Sequence, residues 1–313
     1  MAKEFLINQD GQPSYGIFPN SIGKINHMDF DLRNTMDKRL GNLAKRFKFN
    51  QFQFIGFTSP ELIVGIAIVD LKIASNCFVY AYHPETEKFE EFSFIQPLAV
   101  KTDIALKPND GIARFEKNGN KVAITATATP RLRSVLVELK SGFKLDAVID
   151  ESANFDPLAV CTRAGYNGWV FTQKATALIC NGTVNWGKEQ YDLEKIDALA
   201  SVDWTAGYMR RETSWNWGSL SCKLPDGRRL GFNLAAGVNE TGFTENGLWL
   251  DGTLHKIDMV DFQFDRNHSS HAWAMRSNDG MINLHFEPAG QRKEKLNLII
   301  AASNFTQHFG RFY

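Results

Sequence analysis

Period-two alternation of apolar and polar residues runs through most of the chain. In 121–129 (KVAITATAT), Thr125, Thr127 and Thr129 alternate with alanines, which gives one polar face and one small-residue face. Similar strand-like runs are FQFIGF, LIVGIAIVDL, NCFVYAYH, KFEEFSFI, GIARFEK and RSVLVELK in the first half. The second half adds GWVFTQKATALIC, TSWNWGSLSCKL, RRLGFNLAAGVN, GLWLDG, HKIDMVDFQFD, HAWAMRS, MINLHFEP and LNLIIAASNF. Between them stand PNDG (108–111), KNGN (117–120), CNGT (180–183), PDG (225–227), ENG (245–247), LDGT (250–253) and SNDG (277–280). Asn-Gly and Asp-Gly supply the positive φ of tight hairpins, so each is read as a turn. Helical periodicity is confined to two places. Leu32, Met36, Leu40, Leu43 and Phe47 follow a helical spacing behind an Asp31 cap, and 192–201 (DLEKIDALAS) is a short second helix behind Asp192.

The fold class expected is all-β: two lipocalin-like antiparallel barrels or half-barrels with one or two short helices. The acidic stretch 148–157 (VIDESANFDP) is the best linker, giving an N-terminal β domain over 1–150 and a C-terminal β domain over 151–313. The chain has 313 residues, enough for an eight-stranded barrel on each side.

Composition narrows the function by exclusion. Thirty-five basic and 35 acidic residues leave no net charge, and therefore no overall field for nucleic acid or an anionic membrane. No apolar run is long enough for a transmembrane helix, and peripheral membrane contact is left open. The N-terminus has no secretory h-region, and Cys77, Cys161, Cys180 and Cys222 show no C-x-x-C spacing, so a cytoplasmic location with reduced thiols is expected. There is no Walker loop, dinucleotide fingerprint, H-E-x-x-H or G-x-S-x-G, and no cofactor is expected. His268 and His271 stand three apart with no carboxylate at an obvious spacing, so they are read as a polar turn and no metal is expected. Asp70, closing an apolar run, is read as one half of an ion pair at a barrel end.

The candidate chemistry gathers at GYMRRETSWNWGS (207–219), preceded by Trp204; Trp204, Trp215 and Trp217 are three of the chain's seven tryptophans. Two readings stand side by side. In one, the tryptophans are core and Arg211 reaches out to water. In the other, Trp204, Tyr208, Arg210, Arg211, Thr213, Trp215 and Trp217 form an aromatic wall with a cationic rim for a lipophilic ligand. Asn233, Asn239, Asn246, Trp249 and His255 join that set from the following strands and loops. A bulge at Gly218-Ser219 is expected to bring Trp215, Trp217 and Leu220 onto one face. Asp203 and Glu240 flank the segment as candidate proton donors.

The block 203–252 (DWTAGYMRRETSWNWGSLSCKLPDGRRLGFNLAAGVNETGFTENGLWLDG) resembles the signature block of a bacterial family, domain of unknown function 2804; 45–82 and the closing QHFGRFY are similar to it as well. That resemblance implies further chain after FGRFY. More distantly, the layout is similar to the carotenoid 1,2-hydratase group, with tocopherol cyclase and lipocalin-like pericyclases among its relatives. This wider likeness implies two lipocalin-like domains, a long hydrophobic ligand near their interface, and acid–base chemistry on carbon–carbon double bonds without metal or cofactor.

Three functions follow: a carrier of an isoprenoid, fatty or polyketide-like molecule; a cofactor-free hydratase, isomerase or cyclase using Asp203 or Glu240; and, third, a glycan-binding or glycan-active protein, since tryptophans also stack on sugars. In the second, Arg211 orients the head group and Trp204, Trp215 and Trp217 stabilise a carbocation.

Overall fold

The structure, a computed structural model, describes residues 3–152, 156–210, 212–237, 243–298 and 301–313. Its elements in chain order begin with β1 (Lys3–Phe5), β2 (Gly16–Ile17), β3 (Ile22–Lys24), a 3-10 turn (His27–Asp29) and α1 (Asn42–Lys48). There follow β4 (Asn50–Thr58), β5 (Ile63–Asp70), β6 (Ala74–Tyr82), β7 (Phe89–Pro97), β8 (Thr102–Ile104), β9 (Gly111–Lys117), β10 (Asn120–Ala128), β11 (Arg131–Glu138) and β12 (Lys144–Asp150). Next come β13 (Leu158–Arg163), β14 (Trp169–Trp186), β15 (Glu189–Asp192) and β16 (Leu199–Tyr208). The chain closes with β17 (Asn216–Lys223), β18 (Arg229–Ala236), β19 (Gly247–Leu250), β20 (Thr253–Lys256), β21 (Val260–Gln263), β22 (Trp273–Ser277), β23 (Asn283–Leu298) and β24 (Ala301–Phe312).

The all-β expectation holds. A 14-stranded main sheet runs in the order β7-β6-β5-β4-β16-β14-β12-β11-β10-β9-β8, with β2, β13 and β15 off that path. It curls until its two edges meet through side chains: Gln51 Nε2 donates to Ile104 O at 2.9 Å, the hydroxyls of Ser75 and Thr102 lie 2.7 Å apart, and Lys117 Nζ donates to Ile95 O at 2.5 Å. The sheet does not break at 150/151, where the composition suggested a linker. β12 pairs with β14 across that point, and the change of sheet falls between Tyr208 and Asn216.

The inner face of the curl is filled, not hollow. Ile55, Phe57, Ile66, Val79, Phe115, Trp169, Phe171 and Trp204 meet a plug from the N-terminal segment, made by Leu6, Ile7, Phe18, Ile22, Ile25 and Phe30. Phe18 packs edge-on against Phe171 and Phe30 against Trp169. Cys77, Cys161 and Cys180 are buried free thiols in this layer, and burial pushes all three above the ordinary thiol range, Cys180 to about 12. Asp70 and Lys72 form the expected ion pair at 2.5 Å.

On the outer face lie two four-stranded sheets, β17-β18-β19-β20 and β21-β22-β23-β24, which enclose a second core of Phe232, Leu234, Ile257, Val260, Phe262, Met275 and Phe286. The β23–β24 hairpin lies across the outer face of β6. Tyr82 and Phe309 stack at 4.6 Å, and the Arg292 guanidinium sits between the rings of Phe78 and Phe305. Gly290 allows this approach, because a Cβ there would meet the Tyr82 ring at 2.7 Å.

Several turns follow the sequence expectation. Asn118-Gly119 and Asp251-Gly252, all at positive φ, close two-residue hairpins. Asn181-Gly182 does not: β14 runs straight through it, with Gly182 at φ +127 because a side chain would strike the Asp146 carbonyl of β12. The expected helix behind Asp31 shrinks to Asn42–Lys48. Asn34 Oδ1 takes the N–H groups of Met36 and Lys38, and Arg33 pairs with Asp31, which ties residues 31–39 into a loop instead. The second expected helix is absent. After one turn (Ile196 N to Asp192 O, 3.1 Å) the chain reverses at Asp197 and enters β16, because Ala198, Ala200, Val202 and Trp204 alternate into the core.

Candidate functional site

The expected bulge at Gly218-Ser219 is not there. β17 and β18 keep unbroken register from Asn216–Ala236 to Lys223–Arg229. Strict alternation therefore sends Trp217 and Ser221 toward the main sheet, and Leu220 and Cys222 the other way. The irregularity lies in β14 instead, between Ala175 and Leu178 opposite β16. There Ala177 adopts φ +57, and the ladder leaves its N–H and C=O free. The outer sheet satisfies both: Ser221 Oγ accepts from Ala177 N at 3.0 Å, and Arg229 Nη1 donates to Ala177 O at 3.0 Å. Gly231 leaves room for Thr176 at the same point.

The bulge also decides which way β14's side chains point. Before it, Trp169, Phe171 and Gln173 face the plugged core, while Thr172 and Lys174 face the outer sheets. Lys174 is directly opposite Asp203 of β16, and the two form a short ion pair. Glu245, on the loop before β19, reaches Lys174 Nζ at 3.2 Å. Asp203 Oδ1 accepts from Thr205 Oγ1 at 2.8 Å, and the hydroxyls of Thr172 and Thr205 lie 2.7 Å apart. Burial alone would lower the Lys174 ammonium, but the Asp203 and Glu245 carboxylates outweigh it and hold the group above the ordinary lysine value. Two carboxylates thus share one cation between the layers, and none of the three residues lines the cavity described below. Lys174 and Glu245 escaped the sequence reading because each sits far from Asp203 along the chain; the only signal was a lysine inside the apolar run GWVFTQKATALIC.

The other expected site residues are dispersed. Trp204 and Tyr208 are buried in the plugged core, on the opposite side of β16 from Asp203, so they cannot share a wall with Trp217. Trp217 is half-buried, edge-on to Phe54, and donates from Nε1 to Asn233 Oδ1 at 2.8 Å; Asn233 in turn donates to the Glu245 carbonyl. Trp215 lies outside the strand and is exposed, as are Arg210, Thr213 and His255. Asn246 holds backbone on both sides, accepting from Ala235 N and donating to Asp258 O, while Trp249 is buried with its indole N–H on Asp156 O. Arg211, Asn239 and Glu240 lie outside the described residues.

A second feature was not anticipated. A cavity of about 780 Å³ opens between the two outer sheets. Leu220, Leu230, Phe232, Leu248, Leu284 and Phe312 form its walls, Cys222 lies among them, and Thr58–Pro60 with Lys223 and Arg311 stand at the rim. Its volume and apolar lining fall in the small-molecule range, and it is a cleft half open to solvent.

The chain compares with known proteins as follows. A family model, "Domain of unknown function (DUF2804)", matches residues 2–313. No curated protein matches. Among solved structures, kievitone hydratase from Nectria haematococca is similar with a TM-score of 0.50 at 8% identity, covering 84% of each chain. CghA, solved with Sch210972, is similar with a TM-score of 0.56 at 8% identity, covering 95% of this chain and 88% of that one. At such identity the likeness is one of fold.

Proposed function

The chain belongs to the DUF2804 family, and from that premise we propose that it binds a lipophilic small molecule in the cavity between its outer sheets. The observation that carries this reading is the cavity itself. Its walls are leucine and phenylalanine from strands of both sheets, and it lies beside the core that those sheets share. Burying an alkyl or isoprenoid chain there gains about 25 cal/mol per Å² of apolar surface removed from water. The test is extraction of purified protein with organic solvent and native mass spectrometry. Wild type should carry a lipophile, and L220W with L284W, which narrows the cavity from both sheets, should carry less. Equal uptake of a fluorescent fatty acid by wild type and the narrowed variant would sink the reading.

A second reading is favoured by one observation, the Lys174–Asp203–Glu245 cluster. Two carboxylates around a fixed ammonium, with threonine hydroxyls as donors, are equipped to move a proton to or from a bound alkene or carbonyl. The hydratase fold likeness is compatible with this and is itself only a likeness of fold. If D203N and E245Q, both folded, convert the extracted ligand as fast as wild type, the cluster has no chemical role.

A further inference from the structure

The turn between β21 and β22 places three metal-competent side chains on one side of the chain. Asp265, His268 and His271 each offer one ligand atom, and all three atoms lie within 4.8 Å of one another. The backbone explains the convergence. His268 N bonds to Asp265 O at 3.1 Å, and His271 N to His268 O at 2.9 Å, so two successive turns bring positions three apart over one another. Asp265 divides its carboxylate: Oδ1 accepts the Asn267 N–H at 2.8 Å, while Oδ2 lies 2.9 Å from His268 Nδ1. The two imidazole rings stack at 5.1 Å with planes 11° apart.

The turn is also anchored. Trp273 Nε1 donates to Ser269 O at 2.7 Å, its ring stacks on Phe264 at 3.9 Å, and His308 Nε2 lies 3.2 Å from Ser269 Oγ. Both ends of the loop and its middle are therefore fixed to the β21–β24 sheet, which lowers the entropy cost of ordering the ligands. We infer that Asp265, His268 and His271 form a surface site for a divalent first-row transition-metal ion, with zinc the ion the set fits best. Two imidazoles and one carboxylate are the borderline donors such ions prefer over calcium or magnesium, and three protein ligands leave a position for water.

The test is isothermal titration of EDTA-treated, re-dialysed protein with zinc chloride, with cobalt absorption as a second readout of coordination. One zinc per chain is expected. Because removing even an outer partner of a metal ligand costs 10- to 100-fold, the H268A/H271A pair should weaken binding on the order of 100-fold or more. D265N preserves the Asn267 cap and should weaken it about tenfold. Circular dichroism checks that the exposed variants stay folded. No measurable zinc binding by wild type, or binding unchanged in the H268A/H271A protein, overturns the site.

Discussion

Lys174 is the residue on which the two layers balance. Its ammonium is buried with two carboxylates, so K174M leaves like charges facing each other without a counter-ion. Breaking a buried pair from one side costs about 3–5 kcal/mol, which a shifted urea midpoint would record. His27 carries a different consequence. Burial first, then the nearby Lys72 cation, lowers its pKa to about 4, and its ring stacks on Phe49 at 3.8 Å. In the unfolded chain the imidazole takes a proton near the ordinary value of about 6.5. Between those two values the unfolded state binds more protons, so stability rises with pH across that window and is lost as pH falls through it. H27F should flatten the pH dependence of the urea midpoint between pH 6.5 and 4; an unchanged slope would refute the assignment. Asp203 could be singled out from sequence as a carboxylate beside aromatics. Its partners could not, because only the cross-strand pairing of β14 with β16 and the return of the 243–246 loop bring them together.

Strands were legible because period two and Asn-Gly or Asp-Gly turns are local signals. Where they misled, a neighbouring strand had the deciding vote. Gly182 reads as a hairpin yet continues β14, since β12 occupies the space a side chain would need. The two helices failed for a related reason: side-chain bonds of Asn34 in one case, and core alternation in the other, outweighed helical spacing. The irregularity in β14 could not be found by pattern at all, because Thr176 and Ala177 carry no glycine signal. Ser221 is its support, and S221A leaves the buried Ala177 N–H without an acceptor, at a cost of about 1–3 kcal/mol in chemical unfolding. The β23–β24 hairpin gives a second check. Phe309 stacks on Tyr82 and is buried with Tyr80, so F309A should cost about 3–5 kcal/mol and speed protease cleavage within residues 283–312.

For the whole molecule, the main sheet and the outer sheets differ in kind. The main sheet is plugged, and a cleft half open to solvent runs between the outer pair. A saturating lipophile should therefore slow amide exchange in β17, β18, β23 and β24 and leave β9–β11 unchanged; protection spread evenly over both would place the ligand elsewhere. The tryptophan-rich stretch was legible as distinctive, but its meaning depended on the change of sheet at Tyr208–Asn216, which no composition shift announces. The plug has a consequence in time. Leu6, Phe18 and Ile22 are synthesised before the strands that hold them: Phe18 bonds to Ala159 O and packs on Phe171, and β4 pairs with β16. The plugged core therefore cannot be completed until the chain has been made through Tyr208, whose hydroxyl donates to His27 O. Nascent chains halted before that point should remain open to protease, and chaperone demand should fall sharply once it has passed.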